Sequence, residues 1–298
     1  MKLITGSWTL ECGHTWLARG FGKVYSLRSL AGGSFLCVDG KEYPTPGEHS
    51  CHITLLPKEA VVADYTSGTL SIYPLGADGI PSGEPRLLHF GGSGPVTGRQ
   101  EGPHIHSSWL SPDRGALVVV DLGADKLYRF QVSGGTLSMD GIEAFPMPEG
   151  CGPRHCAFGR HKLYVATELS DEVFVLDWPS MELRQRITVN DQLPGGGGHI
   201  LLSPDGKYLY ASSRLKNDGI GVFAIKENGL LEKAGYQTTG AHPRHFCMSP
   251  DGGKLLVACR DSDRIEYYDR NPDTGLLSPT EEIIQIEKPV FVQAYEED

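Results

Sequence analysis

Six side chains, His106, Arg154, Glu168, Arg214, Arg244 and Arg260, combine an acid/base pair with a surplus of guanidinium groups, and His104 stands beside the first of them. A histidine and a glutamate can relay a proton to or from water or a carbon acid. Arginines grip a carboxylate or phosphate in a fixed two-pronged contact and stabilise an oxyanion as it develops. Together they suit proton-transfer chemistry on a small anion. The plainer reading is a structural salt bridge between Glu168 and Arg154 or Arg214. Three or four arginines for one carboxylate would leave positive charge for a ligand to neutralise.

These residues come from columns of a repeat. Seven short apolar strands open at similar points, taken at His14, His52, Ser107, His155, His199, His245 and Phe291. The steps are 38, 55, 48, 44, 46 and 46 residues. A period of about 40 to 50 residues with several strands per unit is the mark of propeller blades. Within a unit, Ile200–Ser203, the turn Pro204-Asp205-Gly206, Tyr208–Ser212 and Ile220–Ile225 read as strand, turn, strand, loop, strand. The unit at His245 repeats this order, and helical periodicity is nearly absent.

The histidine of the column is expected to be structural, a semi-buried ring bonding backbone within its own blade. The position before it reads Gly13, Cys51, His106, Arg154, Gly198, Arg244 and Val290. A second column, at the end of the second strand, reads Arg28, Tyr65, Leu122, Glu168, Arg214 and Arg260. Architecture favours uniformity, so the polar departures in both columns mark the expected site. Inner strands of a propeller converge at one mouth, where such residues are expected to meet in a single pocket.

Composition narrows the partners. A formal net charge of −10 argues against nucleic acid, because phosphate neutralisation needs a basic surface. Seven cysteines without a C-x-x-C pair argue against a disulfide framework and for reduced thiols in the cytoplasm. No stretch approaches the roughly 18 apolar residues of a membrane span, and no signal peptide is read at the N-terminus. Zincin, serine-hydrolase, phosphate-loop and dinucleotide motifs are absent. The histidines could approach a metal, but the neighbouring arginines would repel it; neither metal nor cofactor is expected. The chain is read as one domain, residues 1–298, and its oligomeric state is left open.

Five segments carry a resemblance: Arg99–Ser107, Asp121–Asp125, Gly152–His155, Thr167–Ser170 and Ser212–Arg214. In this order they resemble the lactonase seven-bladed β-propellers, a family that includes propeller-type 6-phosphogluconolactonases and the carboxy-muconate lactonizing enzymes. The resemblance runs from about Cys51 to the C-terminus. It implies an all-β, seven-bladed propeller and hydrolysis of a small anionic sugar lactone in carbohydrate metabolism, the pentose phosphate pathway. His106 and Glu168 would be the acid/base groups, and Arg154, Arg214, His104, Arg244 and Arg260 the substrate binders. Muconate cyclisation and a noncatalytic metabolite- or peptide-binding propeller are the alternatives. Ser212-Ser213-Arg214 departs from the family's usual asparagine before arginine. The ends supply two strands where a full blade has four. The expected outcome is therefore a reduced closing blade with Lys2–Ser7 beside Val290–Ala294, or six blades plus a hairpin.

Overall fold

The computed structural model describes residues 1–7, 13–30, 33–192 and 195–296. Antiparallel strands, joined in chain order, form sheets one to six over residues 13–45, 50–89, 105–146, 153–188, 196–238 and 243–285. Each has four strands, and the third gains a fifth where Thr136–Leu137 pairs with Lys126–Ser133. The seventh sheet has two strands. It pairs Lys2–Ser7 with Pro289–Tyr295 in antiparallel register, Leu3 opposite Ala294 and Thr5 opposite Val292. Its strands come from the two ends of the sequence, so the closing element is a reduced blade and not a hairpin. One 3₁₀ turn, Arg260–Ser262, is the only helical element among the described residues.

The chain divides into two compact units, Thr9–Pro153 and a second made of Met1–Trp8 with Arg154–Asp298. The first unit holds sheets one to three and the second holds sheets four to seven. Within each, consecutive sheets pack face to face. The second strand of sheet two shows the cause: Ala60 and Val62 join Tyr25, Leu27 and Leu36 of sheet one, while Val61 and Ala63 join Leu117, Val119 and Phe130 of sheet three. Both faces of that strand are covered, which is why Ala60–Ala63 reads as a continuous apolar run instead of alternating. In the second unit, Tyr210 and Val222 meet Phe246 and Val257, and Leu3 and Val292 pack on Ala258, Ile265 and Tyr267.

A recurring tyrosine ties sheet one to sheet two, sheet four to sheet five and sheet five to sheet six. Tyr25, Tyr164 and Tyr210 donate to the carbonyls of Gly79, Gly229 and Gly275, at 2.6, 2.9 and 2.7 Å. All three acceptors have positive φ, between 70° and 78°, in turns where a side chain would be strained. These tyrosines also calibrate the repeat, since residues equally distant from them occupy equivalent places.

Candidate active site

Inner strands do not run straight. Their pairing with the second strand slips between Ser50 and His52, Ile105 and Ser107, Gly197 and Ile200, and Pro243 and His245. Each slip is a β-bulge, which leaves an extra residue out of the ladder and re-aims its side chain. Cys51, His106, Gly198 and Arg244 are those extra residues, and Arg154 holds the same place by repeat. Bulged side chains reach to the next inner strand. Thr15 donates to the Ser50 carbonyl at 2.8 Å, Cys51 to that of His106 at 3.1 Å and Arg154 to that of Gly198 at 2.6 Å.

An aspartate in the turn after the second strand sets the loop leading to the next bulge. Asp125 and Asp171 both have positive φ, 49° and 53°. Asp125 accepts the amides of Gly150 and Gly152 at 2.7 and 2.8 Å. Asp171 accepts the Gly195 amide at 3.0 Å, Asn190 Nδ2 at 2.7 Å and Ser213 Oγ at 2.7 Å. Burial holds the Asp171 carboxyl above the usual range, against the hydrogen bonds and the Arg214 charge that lower it.

The Asp171 support belongs to a cluster in the second unit. Glu168 Oε2 lies 2.8 Å from Arg154 Nε and 3.0 Å from Arg214 Nη2. Arg154 and Arg214 are 2% and 3% exposed, whereas the Glu168 side chain retains 14%. The second guanidinium is heavily braced, Nε donating to the Gly196 carbonyl at 3.0 Å and Nη2 to that of Gly197 at 2.6 Å. A side chain at Gly197 would collide with the Thr167 carbonyl, so only glycine lets the two strands approach here. Arg244 and Arg260 are half-buried; Arg260 is bound to Asp261 through Nε–Oδ1 at 2.8 Å and Nη2–Oδ2 at 3.0 Å. Arg154 and Arg214 thus share the Glu168 carboxylate, Arg214 also acts on Asp171, and Arg260 is held by Asp261. Such a cluster can hold an anion and accept a proton beside it.

Sequence columns missed His242, which lies two residues before the Arg244 bulge. Its Nε2 is 3.2 Å from Arg214 Nη1 and its Nδ1 3.4 Å from Asp261 Oδ2. Burial, with the charges of Arg214, Arg260 and Arg244, pushes its pKa down to about 3. His242 shares a backbone feature with its equivalents in the repeat: His49, Gly152, His242 and Lys288 all stand two before a bulge position and all have positive φ.

In the first unit, His104 and His106 gather around Tyr65. The His104 ring stacks on Tyr65 at 4.5 Å, with Nδ1 2.9 Å from the Tyr65 carbonyl. Its amide donates to Asp121 Oδ1 at 2.9 Å, an acceptor shared with Gly123 and Ala124. His106 is buried and meets Tyr65 edge-on at 5.6 Å.

The structure corrects two expectations and extends a third. Counting four residues on from Tyr25, Tyr164 and Tyr210 gives Ser29, Glu168 and Arg214, so Ser29 and not Arg28 belongs to the second column. Arg28 points to the other face, pairs with Glu42, and lines an open depression of about 470 Å³ with Val24, Ser26 and Cys37. The first histidine is likewise displaced: Trp16, its ring 4.2 Å from His52, occupies the column, and the His14 side chain lies outside the described residues. Finally, the column also bonds across sheets. His155 Nδ1 lies 2.9 Å from His199 Nδ1, His199 stacks on His245 at 4.1 Å, and His245 on Phe291 at 4.4 Å. His52 Nδ1 and His245 Nδ1 accept the amides of Ser108 and Val292 in the next sheet, each at 3.4 Å.

Four-stranded antiparallel sheets repeated in chain order, with the terminal strands forming the last one, define a β-propeller. The chain belongs to the lactonase, 7-bladed β-propeller family, whose model matches residues 22–294. It is 31% identical to the 6-phosphogluconolactonase of Bacillus subtilis (strain 168) over 262 residues, 83% of this chain and 73% of that protein. The 6-phosphogluconolactonase of Formosa agariphila is 34% identical over 252 residues, 78% of this chain and 69% of the relative. The crystal structure of a candidate 6-phosphogluconolactonase from Bacteroides fragilis NCTC 9343 superposes with a TM-score of 0.88 at 34% identity, covering 94% of this chain and 86% of that one.

Proposed function

We propose that this protein hydrolyses a small anionic sugar lactone, 6-phosphogluconolactone being the substrate that the relatives' names suggest. The observation that carries the reading is the Glu168 carboxylate, still partly open to solvent, between the buried guanidiniums of Arg154 and Arg214. Water adds to the lactone carbonyl and loses a proton to Glu168. Arginine N–H groups stabilise the oxyanion that forms on the carbonyl oxygen, as preorganised donors do in acyl transfer. The ring C–O bond then breaks, and its oxygen takes up a proton to give the hydroxy acid. Arg154, Arg214, Arg244 and Arg260 bind the substrate's phosphate and the carboxylate of the product. His106, as acid/base group, and His104, as binding group, are part of the proposal and are tested on their own. A cytoplasmic location is supported by the six free cysteines among the described residues.

Kinetics on a lactone panel test this reading, with Glu168→Gln and His106→Ala alongside wild type. Glu168→Gln is expected to lower kcat by about 10²- to 10⁴-fold, the usual weight of a positioned proton acceptor. Calorimetric affinity for 6-phosphogluconate should hold or improve, since a negative charge leaves the anion site. Equal rates for Glu168→Gln and wild type would make the glutamate a salt-bridge partner only. A wild-type protein that binds the sugar acid but turns over no lactone would be a binding propeller.

A further inference from the structure

We propose that His242 is a positioning residue, a neutral acceptor that fixes the Arg214 guanidinium without cancelling its charge and so selects for a phosphorylated substrate. This rests on the reading of Arg214 as an anion binder.

The argument starts from Arg214's donors. A guanidinium offers five N–H groups and no acceptor. Those on Nε and Nη2 are taken by the Gly196 and Gly197 carbonyls and by Glu168, which leaves Nη1 to set the rotation of the fork. Nη1 meets His242 Nε2 at 3.2 Å. Arginine can only donate, so Nε2 must be the bare nitrogen and the proton must sit on Nδ1. That side faces Asp261 Oδ2 at 3.4 Å, an electrostatic contact longer than a well-made hydrogen bond. The ring's low pKa agrees with a neutral imidazole, since a second cation beside Arg214 is disfavoured.

The backbone is built to present this ring. His242 has φ +60°, in the left-handed region that few non-glycine residues occupy, and strain of this kind persists only where the surroundings over-determine it. The surroundings do so here. The Arg260 amide donates to the His242 carbonyl at 3.0 Å, the Asp261 amide to that of Ala241 at 3.1 Å, and the Ala241 amide to Ser262 Oγ at 2.7 Å. A carboxylate at this position would also accept from Nη1 but would neutralise the guanidinium. An imidazole accepts and leaves the charge. One Nη1 proton then remains for a ligand oxygen.

The test combines a tautomer measurement with three substitutions. Long-range proton–nitrogen NMR of wild type between pH 6 and 8 is expected to show His242 protonated on Nδ1 and bare on Nε2. Calorimetry with 6-phosphogluconate and with gluconate then reads the charge. His242→Leu should weaken 6-phosphogluconate about tenfold, the weight of one charge-assisted hydrogen bond, and gluconate less than about twofold. His242→Gln, which keeps a neutral acceptor, should recover most of the loss. His242→Glu should lose more than the leucine variant. In kinetics the losses should fall on KM, with kcat little changed. Equal losses for both ligands, or the same loss in the leucine and glutamine variants, would reduce His242 to a packing residue and overturn the proposal. A protein that hydrolyses lactones while His242 carries its proton on Nε2 overturns the positioning argument alone. One with the expected tautomer that turns over no lactone overturns the functional reading alone.

Discussion

Arg214 tests the site most directly at the residue scale, because each edge of its guanidinium has a separate partner. Arg214→Lys keeps the charge and loses the planar fork, so an ammonium cannot meet the two carbonyls, Glu168 and His242 together. The expected outcome is a KM for an anionic lactone raised about ten- to a hundredfold, equivalent to one lost charge-assisted hydrogen bond. An unchanged KM would mean that charge alone suffices. The pairing of Glu168 with Arg154 and Arg214 was legible in the sequence as the plainer reading of the two columns, a salt bridge between their polar departures. His242 was not legible. Its role depends on a left-handed backbone that turns the ring onto Arg214, and no spacing rule carries that information. His14 was misassigned by two residues because the bulge in the first inner strand falls between His14 and Leu17, and Arg28 by one, a slip that turns a side chain to the other face.

At the scale of elements, the site depends on loops held by carboxylates more than on the strands themselves. Asp171→Ala removes one acceptor from Asn190, Ser213 and the Gly195 amide together, leaving buried donors unsatisfied. A loss of roughly 2 to 4 kcal/mol in urea unfolding is expected, at the upper end for a single residue because several donors are orphaned. Activity should fall further than stability, since the Gly196 and Gly197 carbonyls that brace Arg214 belong to the same segment. Asp171→Asn, which keeps one acceptor and is spared the burial of a charge, should be milder in both measurements. If alanine and asparagine behave alike, the loop is held by something else. Strand order was readable from turn punctuation such as Ser249-Pro250-Asp251-Gly252, where Ser249 Oγ is bound by Asp251 and accepts the Lys254 amide at 2.9 Å. The small added strand Thr136–Leu137 was not, because its register depends on Glu59 of the preceding sheet, which accepts the Leu137 amide at 2.7 Å.

For the molecule as a whole, the two-stranded closing sheet was foreseen from the shortness of both terminal segments, and its register is the one that covers Ala258, Ile265 and Tyr267 with Leu3 and Val292. Leu3 is only partly buried, so Leu3→Ala should cost about 1 to 2 kcal/mol, below the range for a fully buried leucine. Deleting residues 1–7 should do more, because Pro289–Tyr295 would then expose a bare strand edge; faster aggregation on heating is the readout. A drop in stability equal to that of Leu3→Ala would show that side-chain burial, and not edge pairing, holds the closure.

Stability against pH is also a property of the whole molecule, because buried groups of opposite tendency titrate in one window. His242 and His245 are pushed down to about 3, first by burial and then by neighbouring arginines. Each is neutral in the fold where the unfolded chain would be charged, so its contribution is complete above pH 6.5 and is lost as pH falls toward 3. Asp64 runs the other way. Burial raises it to about 6 despite bonds from Ser50, Ser71 and Thr69, so its contribution is complete below pH 3.8 and is lost as pH rises to 6. One proton is worth about 1.4 kcal/mol per pH unit, and between pH 6 and 4 the two histidines outweigh the aspartate by one proton. Asp121 and Asp171, also raised, narrow the difference near the lower end. Urea midpoints are therefore expected to fall as pH drops below 6.5, and less steeply toward pH 4. His245→Phe should remove one of the two histidine contributions. Phe291 already fills the equivalent place in the column, so the ring is tolerated, and the profile between pH 6 and 4 should become nearly flat. If the variant keeps the wild-type slope, His245 does not titrate on unfolding as its burial implies, and the acid sensitivity belongs to other groups.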